Sequence, residues 1–204
     1  MASDKTINQN IPRYLTGITA IALCLFFLGK ESSPPVLLAL IFFTLICATD
    51  TFFTKIPNLI NLALVIGGFS YNFLTTGTAG LLTALLGMFL GFSLLIIPYA
   101  MGGMGAGDVK ALAALGALLG PAVTFQVFLY TGLIGGVMAI LQYAFNRNLV
   151  EKCRQGLNAL WAFALTSEAG FLKPSAGKTE QLRFPYAAAI TFGFIAQQHW
   201  GALI

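Results

Sequence analysis

Charge is scarce in this chain. Lysine and arginine together number 11 and the acids 7, so only 9% of the 204 residues are charged, where soluble domains carry roughly 25%. With 57% hydrophobic residues and a mean hydropathy of +0.83, no water-soluble core could hide the apolar surface, and the chain belongs in a bilayer. Cysteine is also rare. Cys24 and Cys47 lie inside apolar runs and Cys153 in a basic stretch, with no Cys-x-x-Cys and no Cys/His cluster, which argues against a zinc site. Such cysteines read as small hydrophobes. The single histidine, His199, stands beside Trp200 near the C-terminus and reads as an interfacial residue. Ser/His/Asp chemistry has no support, because the predicted topology puts His199 on the face opposite the acids discussed below. No internal repeat is evident and few polar residues run along the apolar segments, which weighs against a transporter or channel.

What is abundant is apolar sequence in long runs. Hydropathy marks seven candidate spans, at 14–29, 35–49, 58–75, 79–99, 108–120, 121–145 and 185–203. Several fall short of the roughly 20 residues that cross a bilayer unaided, so 108–120 and 121–145 read either as two crossings or as a re-entrant or tilted pair. The expected fold is therefore all-α, a polytopic membrane helical bundle of about six or seven transmembrane helices. It is read as one domain over 1–204. The first run has no small-residue cleavage pattern after Phe27 and reads as a retained helix. Turn punctuation falls at Gly29–Pro35, at Thr75–Thr78, and at Gly120-Pro121. Pro98 is expected to end the fourth span ahead of a non-helical loop over 100–107. The pairs Gly87-x-x-x-Gly91 and Gly132-x-x-x-Gly136, with Gly67, Gly68 and Gly135, are expected at close helix contacts.

Residues 146–184 are the exception to the apolar pattern. They carry Arg147, Lys152, Arg154, Lys173, Lys178 and Arg183, with apolar residues near helical spacing from Leu149 to Leu165. The segment reads equally as a basic amphipathic helix on the membrane surface and as a solvated loop. With the N-terminus in the cytoplasm and seven alternating spans, every lysine and arginine except Lys30 falls inside. That is a strong positive-inside bias.

Two acids stand at the edges of apolar runs. Asp108 lies in Gly102-Gly-Met-Gly-Ala-Gly-Asp-Val-Lys110, a glycine-rich break, and Asp50 precedes Thr-Phe-Phe-Thr-Lys-Ile-Pro-Asn58. A carboxylate at membrane depth is expensive and is rarely present without a function. The predicted topology places both on the cytoplasmic face. Asp108 also stands where a helix cap would. Asp50, at the C-terminal end of its run, would meet the unfavourable end of the helix dipole, so capping does not account for it.

Asp50 ahead of Ile56-Pro57-Asn58, and Gly105-Ala-Gly-Asp108 ahead of Lys110, resemble the two signatures of the type IV prepilin peptidases, the G-x-G-D class of intramembrane aspartyl proteases. Phe184-Pro-Tyr-Ala-Ala-Ala-Ile190 resembles the proline-aromatic stretch that opens the family's last helix and adds Pro185 to the candidates. The larger members carry an N-terminal cytoplasmic insert with paired Cys-x-x-Cys motifs and also methylate the new N-terminus. This sequence has no such insert, so it looks like the short, peptidase-only branch associated with tight-adherence (Flp-type) pili. Presenilin-like relatives place a tyrosine before the first aspartate and carry Pro-Ala-Leu; here Thr49 precedes Asp50 and Pro-Ala-Leu does not occur.

The resemblance implies an aspartic endopeptidase of a bacterial inner membrane, with its site facing the cytoplasm. Its partners would be a prepilin or pseudopilin substrate and the lipid bilayer, with no nucleic acid, cofactor or metal. Asp50 and Asp108 would be catalytic. Gly105, Gly107, Pro57, Asn58, Lys110 and Pro185 would bind substrate or support the pair. Two close carboxyl groups share a proton, so one can activate water while the other protonates the carbonyl. The glycines would allow close backbone approach to substrate or φ > 0. Lys110 reads equally as an interfacial anchor, and Lys55 reads as one. A non-catalytic membrane subunit of a pilus or secretion machine would share the hydropathy but has no need of both acids.

Overall fold

In a bilayer every backbone N–H and C=O must be satisfied within the chain, so long apolar runs become helices. The computed structural model describes residues 2–53, 55–101, 104–145 and 186–203, with side chains described within 13–141 and 186–203. Among these the order is α1 (Ala2–Leu28), α2 (Pro34–Phe53), α3 (Asn58–Thr76), α4 (Thr78–Ala100), α5 (Ala106–Phe145) and α6 (Tyr186–Trp200). The protein is an all-helical, polytopic membrane bundle. Helices α2, α3 and α4 and the stretch Ala106–Leu141 are long and apolar enough to cross a membrane, and Arg13–Leu28 is a shorter apolar helix. The surface is apolar as well, with Leu59 at 74% and Leu74 at 82% exposure, as a lipid-facing surface should be.

Helix α5 is two helices in succession. Gly120 breaks it with φ 78° and ψ 176°, a left-handed conformation that glycine adopts without steric cost. Contacts on either side of Gly120 show that the chain doubles back. The first half runs parallel to α3, since Gly107 lies against Ile56 while Ala117 and Leu118 lie against Gly68 and Asn72. The second half runs antiparallel to α6, pairing Gln126 with Leu203, Tyr130 with Gly201 and Thr131 with Gly193. Helix α6 in turn runs antiparallel to α2, through Cys47 with Thr191 and Phe43 with Phe194. The described chain therefore runs seven times between the two ends of the bundle, and 108–120 and 121–145 are two antiparallel segments joined at Gly120.

A buried break of this kind strands carbonyls, and neighbours satisfy them. Pro121 has no N–H to give the carbonyl of Ala117. The side-chain amide of Asn72 on α3 instead donates to the carbonyls of Ala117 and Leu118, 3.1 Å from each. The hydroxyl of Thr124 donates to the Gly120 carbonyl at 2.7 Å.

The α4–α5 contact is set by missing side chains. A Cβ on Gly87 would stand 2.1 Å from the Gly116 carbonyl oxygen, and one on Gly116 the same distance from that of Gly87. A Cβ on Gly91 would stand 2.5 Å from the Leu112 carbonyl oxygen. The expected role of Gly87-x-x-x-Gly91 holds, and Gly68 meets the backbone of Ala117 and Leu118. Gly67, Gly132 and Gly136 are different: among the described residues nothing lies within 4 Å of a Cβ built on any of them. Helical spacing of small residues marks a smooth stripe without saying that anything rests on it.

Three boundaries depart from expectation. Helix α1 starts well ahead of its apolar run, and α4 passes through Pro98 to Ala100. Helix α5 starts at Ala106, so the non-helical connector is shorter than 100–107 and Gly107 lies in a helix. The turn after α1 is built on Glu31, which accepts from the Ser33 hydroxyl at 2.6 Å and from the amides of Ser32 and Ser33 at 3.2 Å. The Ser33 hydroxyl above all holds that carboxyl below the usual carboxylate range. The segment 146–184 and Cys153 lie outside the described residues.

Candidate active site

Among the described residues, one end of the bundle gathers α1 near Arg13, the last turn of α2, the start of α3, the end of α4 and the starts of α5 and α6. Helix α2 continues to Phe53, so Asp50 sits inside its last turn rather than beyond it. The C-terminal carbonyls there make an unfavourable setting for an acid. Arg13 answers this by donating through one guanidinium nitrogen to the carbonyls of Asp50 and Thr51. Thr51 is 2% exposed, and a Cβ on Gly17 would collide with its hydroxyl, so α1 is seated tightly beside the Asp50 turn.

Asp108 occupies the third position of α5 and is 9% exposed. Its Oδ2 accepts from the Gly105 amide at 3.1 Å, while the Asp108 amide donates to the Gly105 carbonyl at 3.2 Å. The side-chain bond is one half of a capping box, the N3 acid reaching back to the N-cap amide, while Gly105 returns a backbone carbonyl instead of a side chain. Asp108 therefore does cap, from inside the helix rather than from the N-cap position. A Cβ on Gly105 would stand 3.3 Å from Oδ2, so the glycine keeps the approach to the carboxylate open. Neither Gly105 nor Gly107 is among the glycines with positive φ, which among the described residues are Gly77, Gly120 and Gly201; both serve close contact instead. Asp50 interacts electrostatically with Asp108, and the fold places the two acids at the same end of the bundle.

The two sequence motifs also touch directly. Lys110 Nζ donates to Asn58 Oδ1 at 2.9 Å. One turn away, a Cβ on Gly107 would come 3.1 Å from the Cβ of Ile56. Pro57, with φ −63° and ψ 132°, is the N-cap of α3 and accepts from the Ile60 amide at 3.2 Å; its extended backbone turns the chain from the connector into the helix. Lys55 is exposed at the same end. Pro185 lies outside the described residues. His199 lies in the last turn of α6, at the opposite end of the bundle, with its ring against Trp200.

Motif reading passed over three residues: Arg13 and Asn72, the latter at the Gly120 break, and Asn61. The first two act across long sequence separations. Asn61 is 4% exposed, and neither its side-chain nitrogen nor its oxygen has a hydrogen-bond partner among the described residues. Among those residues no group of three or more His, Cys, Asp or Glu could hold a metal. What the arrangement offers chemically is a pair of carboxyl groups, one buried and one half-buried, beside an exposed lysine–asparagine pair.

No curated protein and no solved structure matches the chain. The model of the type IV leader peptidase family, however, matches residues 37–140, a little over half the chain and a stretch that holds both aspartates and both motifs. On that match the chain belongs to the type IV leader peptidase family.

Proposed function

We propose that this peptidase is an aspartic endopeptidase that removes the basic leader from prepilin or pseudopilin substrates at the cytoplasmic boundary of a bacterial inner membrane. The observation that carries the reading is the electrostatic interaction of Asp50 and Asp108, two acids from different helices at one end of an apolar bundle. The ionised member takes a proton from a water molecule, which attacks the scissile carbonyl carbon. The neutral member donates to the carbonyl oxygen. As the tetrahedral adduct collapses, the departing amine takes up a proton and the pair returns to its starting state. The two acids titrate as a unit, so the roles belong to the pair.

Charge placement supports the orientation. Arg13, Lys55 and Lys110 are at the end that holds the acids and Lys30 is at the other, which by the positive-inside rule puts the acids at the cytoplasm. A substrate with a basic leader and an apolar helix would then present its junction at that boundary. Asn58, Lys110, Pro57 and Pro185 are assigned to substrate binding or to support of the pair. The sequence carries no Cys-x-x-Cys, and the product is expected to leave unmethylated.

The test is cleavage of a prepilin-type substrate by purified protein in proteoliposomes. Asp50→Asn and Asp108→Asn should each abolish cutting while inserting at normal levels, and the double variant should be no worse than either single one. Wild-type rates from either well-inserted single variant would end the aspartic reading.

A further inference from the structure

Between α3, α4 and the start of α5 lies an apolar groove of about 830 Å³. Its lining includes Asn58, Asn61, Leu62, Phe89, Phe92 and Lys110. Most of it is hydrocarbon; Asn58 and Lys110 pair with each other, and the remaining polar residue is Asn61. Asn61 is nine-tenths buried and carries a donor and an acceptor that nothing among the described residues satisfies. Leaving such a group unpaired is costly, most of all away from water, so its presence calls for a partner from outside the fold.

We propose that this groove seats the apolar side of the peptide substrate, the residues that follow the scissile bond, with Asn61 hydrogen-bonding the peptide backbone. This rests on the peptidase reading above and adds to it where the substrate lies. Three observations select this occupant. A side-chain amide with both functions vacant matches a peptide group, which offers one donor and one acceptor; an acyl chain offers neither and a phosphate offers acceptors alone. Asn58 and Lys110 line the groove at the end of the bundle that holds Asp50 and Asp108, so the groove reaches the level of the acids. The cation at its mouth repels a basic leader and leaves the apolar side of the junction as the part that enters.

The experiment uses full-length protein in proteoliposomes and, as probe, a synthetic peptide with a lysine-rich leader joined to a leucine-alanine helix. A photoreactive phenylalanine at position 62 or 89 should crosslink to the apolar segment of the peptide, and one at Leu23, on the far side of the bundle, should not. Crosslinks from 62 and 89 to phospholipid alone, to a second copy of the protein, or to the leader would overturn the assignment. Asn61→Leu, which removes the orphaned polar atoms and should insert and fold, should raise KM about tenfold, the size of one hydrogen bond made in a dry site. Its kcat should be nearly unchanged, and Asn61→Gln should restore part of the loss. An unaltered KM in Asn61→Leu would overturn the role of the amide. Crosslinking reports where the peptide lies whether or not it is cut, so a failure of the groove and a failure of the peptidase reading give different results.

Discussion

Replacing Arg13 tests whether the geometry of the Asp50 turn limits catalysis. The guanidinium holds the carbonyls of Asp50 and Thr51, the last turn of a helix whose next two residues, Phe52 and Phe53, are 62% and 73% exposed. A hydrogen bond from a charged donor contributes about 1.5–3 kcal/mol, and a cation at a helix C-terminus adds about 0.3–1 kcal/mol. Arg13 is half-buried, so the lower end applies, and the two bonds share one nitrogen. Arg13→Gln should then destabilise the ordered turn by about 2 kcal/mol, a factor of about thirty in its ordering equilibrium. That factor is the ceiling on the loss of rate, reached only if the turn already stands near balance, and a loss of about tenfold in kcat with little change in KM is expected. Arg13→Lys should fall between, because a point charge on a flexible stem does not reproduce the planar fork. Initial rates on a fluorogenic leader peptide, normalised to inserted protein, give the comparison. If Arg13→Gln cuts at the wild-type rate, the turn does not depend on Arg13 and the reasoning fails.

Three further outcomes follow from the packing and the proposed chemistry. Asn72→Leu should lower stability by about 1–3 kcal/mol, since it strands the carbonyls of Ala117 and Leu118 beside Pro121; an unchanged thermal midpoint in detergent would show that the break is satisfied in another way. Gly87→Ala should cost about 1–3 kcal/mol or more through forced separation of α4 and α5, whereas Gly136→Ala should stay within about 0.5 kcal/mol. Equal losses at the two positions would refute the contact map. Chelators should leave the cleavage rate unchanged, because a carboxyl pair supplies both base and acid; loss in EDTA that a divalent ion restores would require a different mechanism.

Much of this architecture was readable from local sequence, and the unreadable parts share a cause. Hydropathy located the passes because a membrane helix carries its signal in every residue. The break at Gly120 was legible because Pro121 cannot continue the hydrogen-bond ladder. The pairing of the two motifs followed from the order of spans, since passes that alternate return the start of α3 and the start of α5 to the same end. Arg13, Asn61 and Asn72 were not legible. Each acts, or waits to act, on a group far away in sequence or outside the chain, and a lone polar residue beside an apolar run looks the same whether it reaches a carbonyl or only the headgroups. Gly132-x-x-x-Gly136, which meets no neighbour among the described residues, shows the complementary limit. Spacing describes one helix face, and contact requires two. The start of α5 at Ala106 was missed because glycine and alanine composition suggests a loop, while the reciprocal Gly105–Asp108 bonds nucleate a helix there.

The doubling back at Gly120 also bears on how the protein meets its lipid. The first half of α5, about fourteen residues from Ala106 to the break, is roughly 21 Å long at 1.5 Å per residue, against a hydrocarbon layer of roughly 30 Å. Helix α4, with 23 residues, is long enough to cross that layer, yet the glycines at 87 and 91 bind it to the short helix without room to slide. Residues 108–109 and 111–118 are buried, so neighbouring helices rather than lipid flank this short pass, and the mismatch is taken up inside the bundle. The depth of Asp108 is then set by the helices packed around it, and under the proposed chemistry that depth is how far a peptide bond must be drawn before it reaches the two acids.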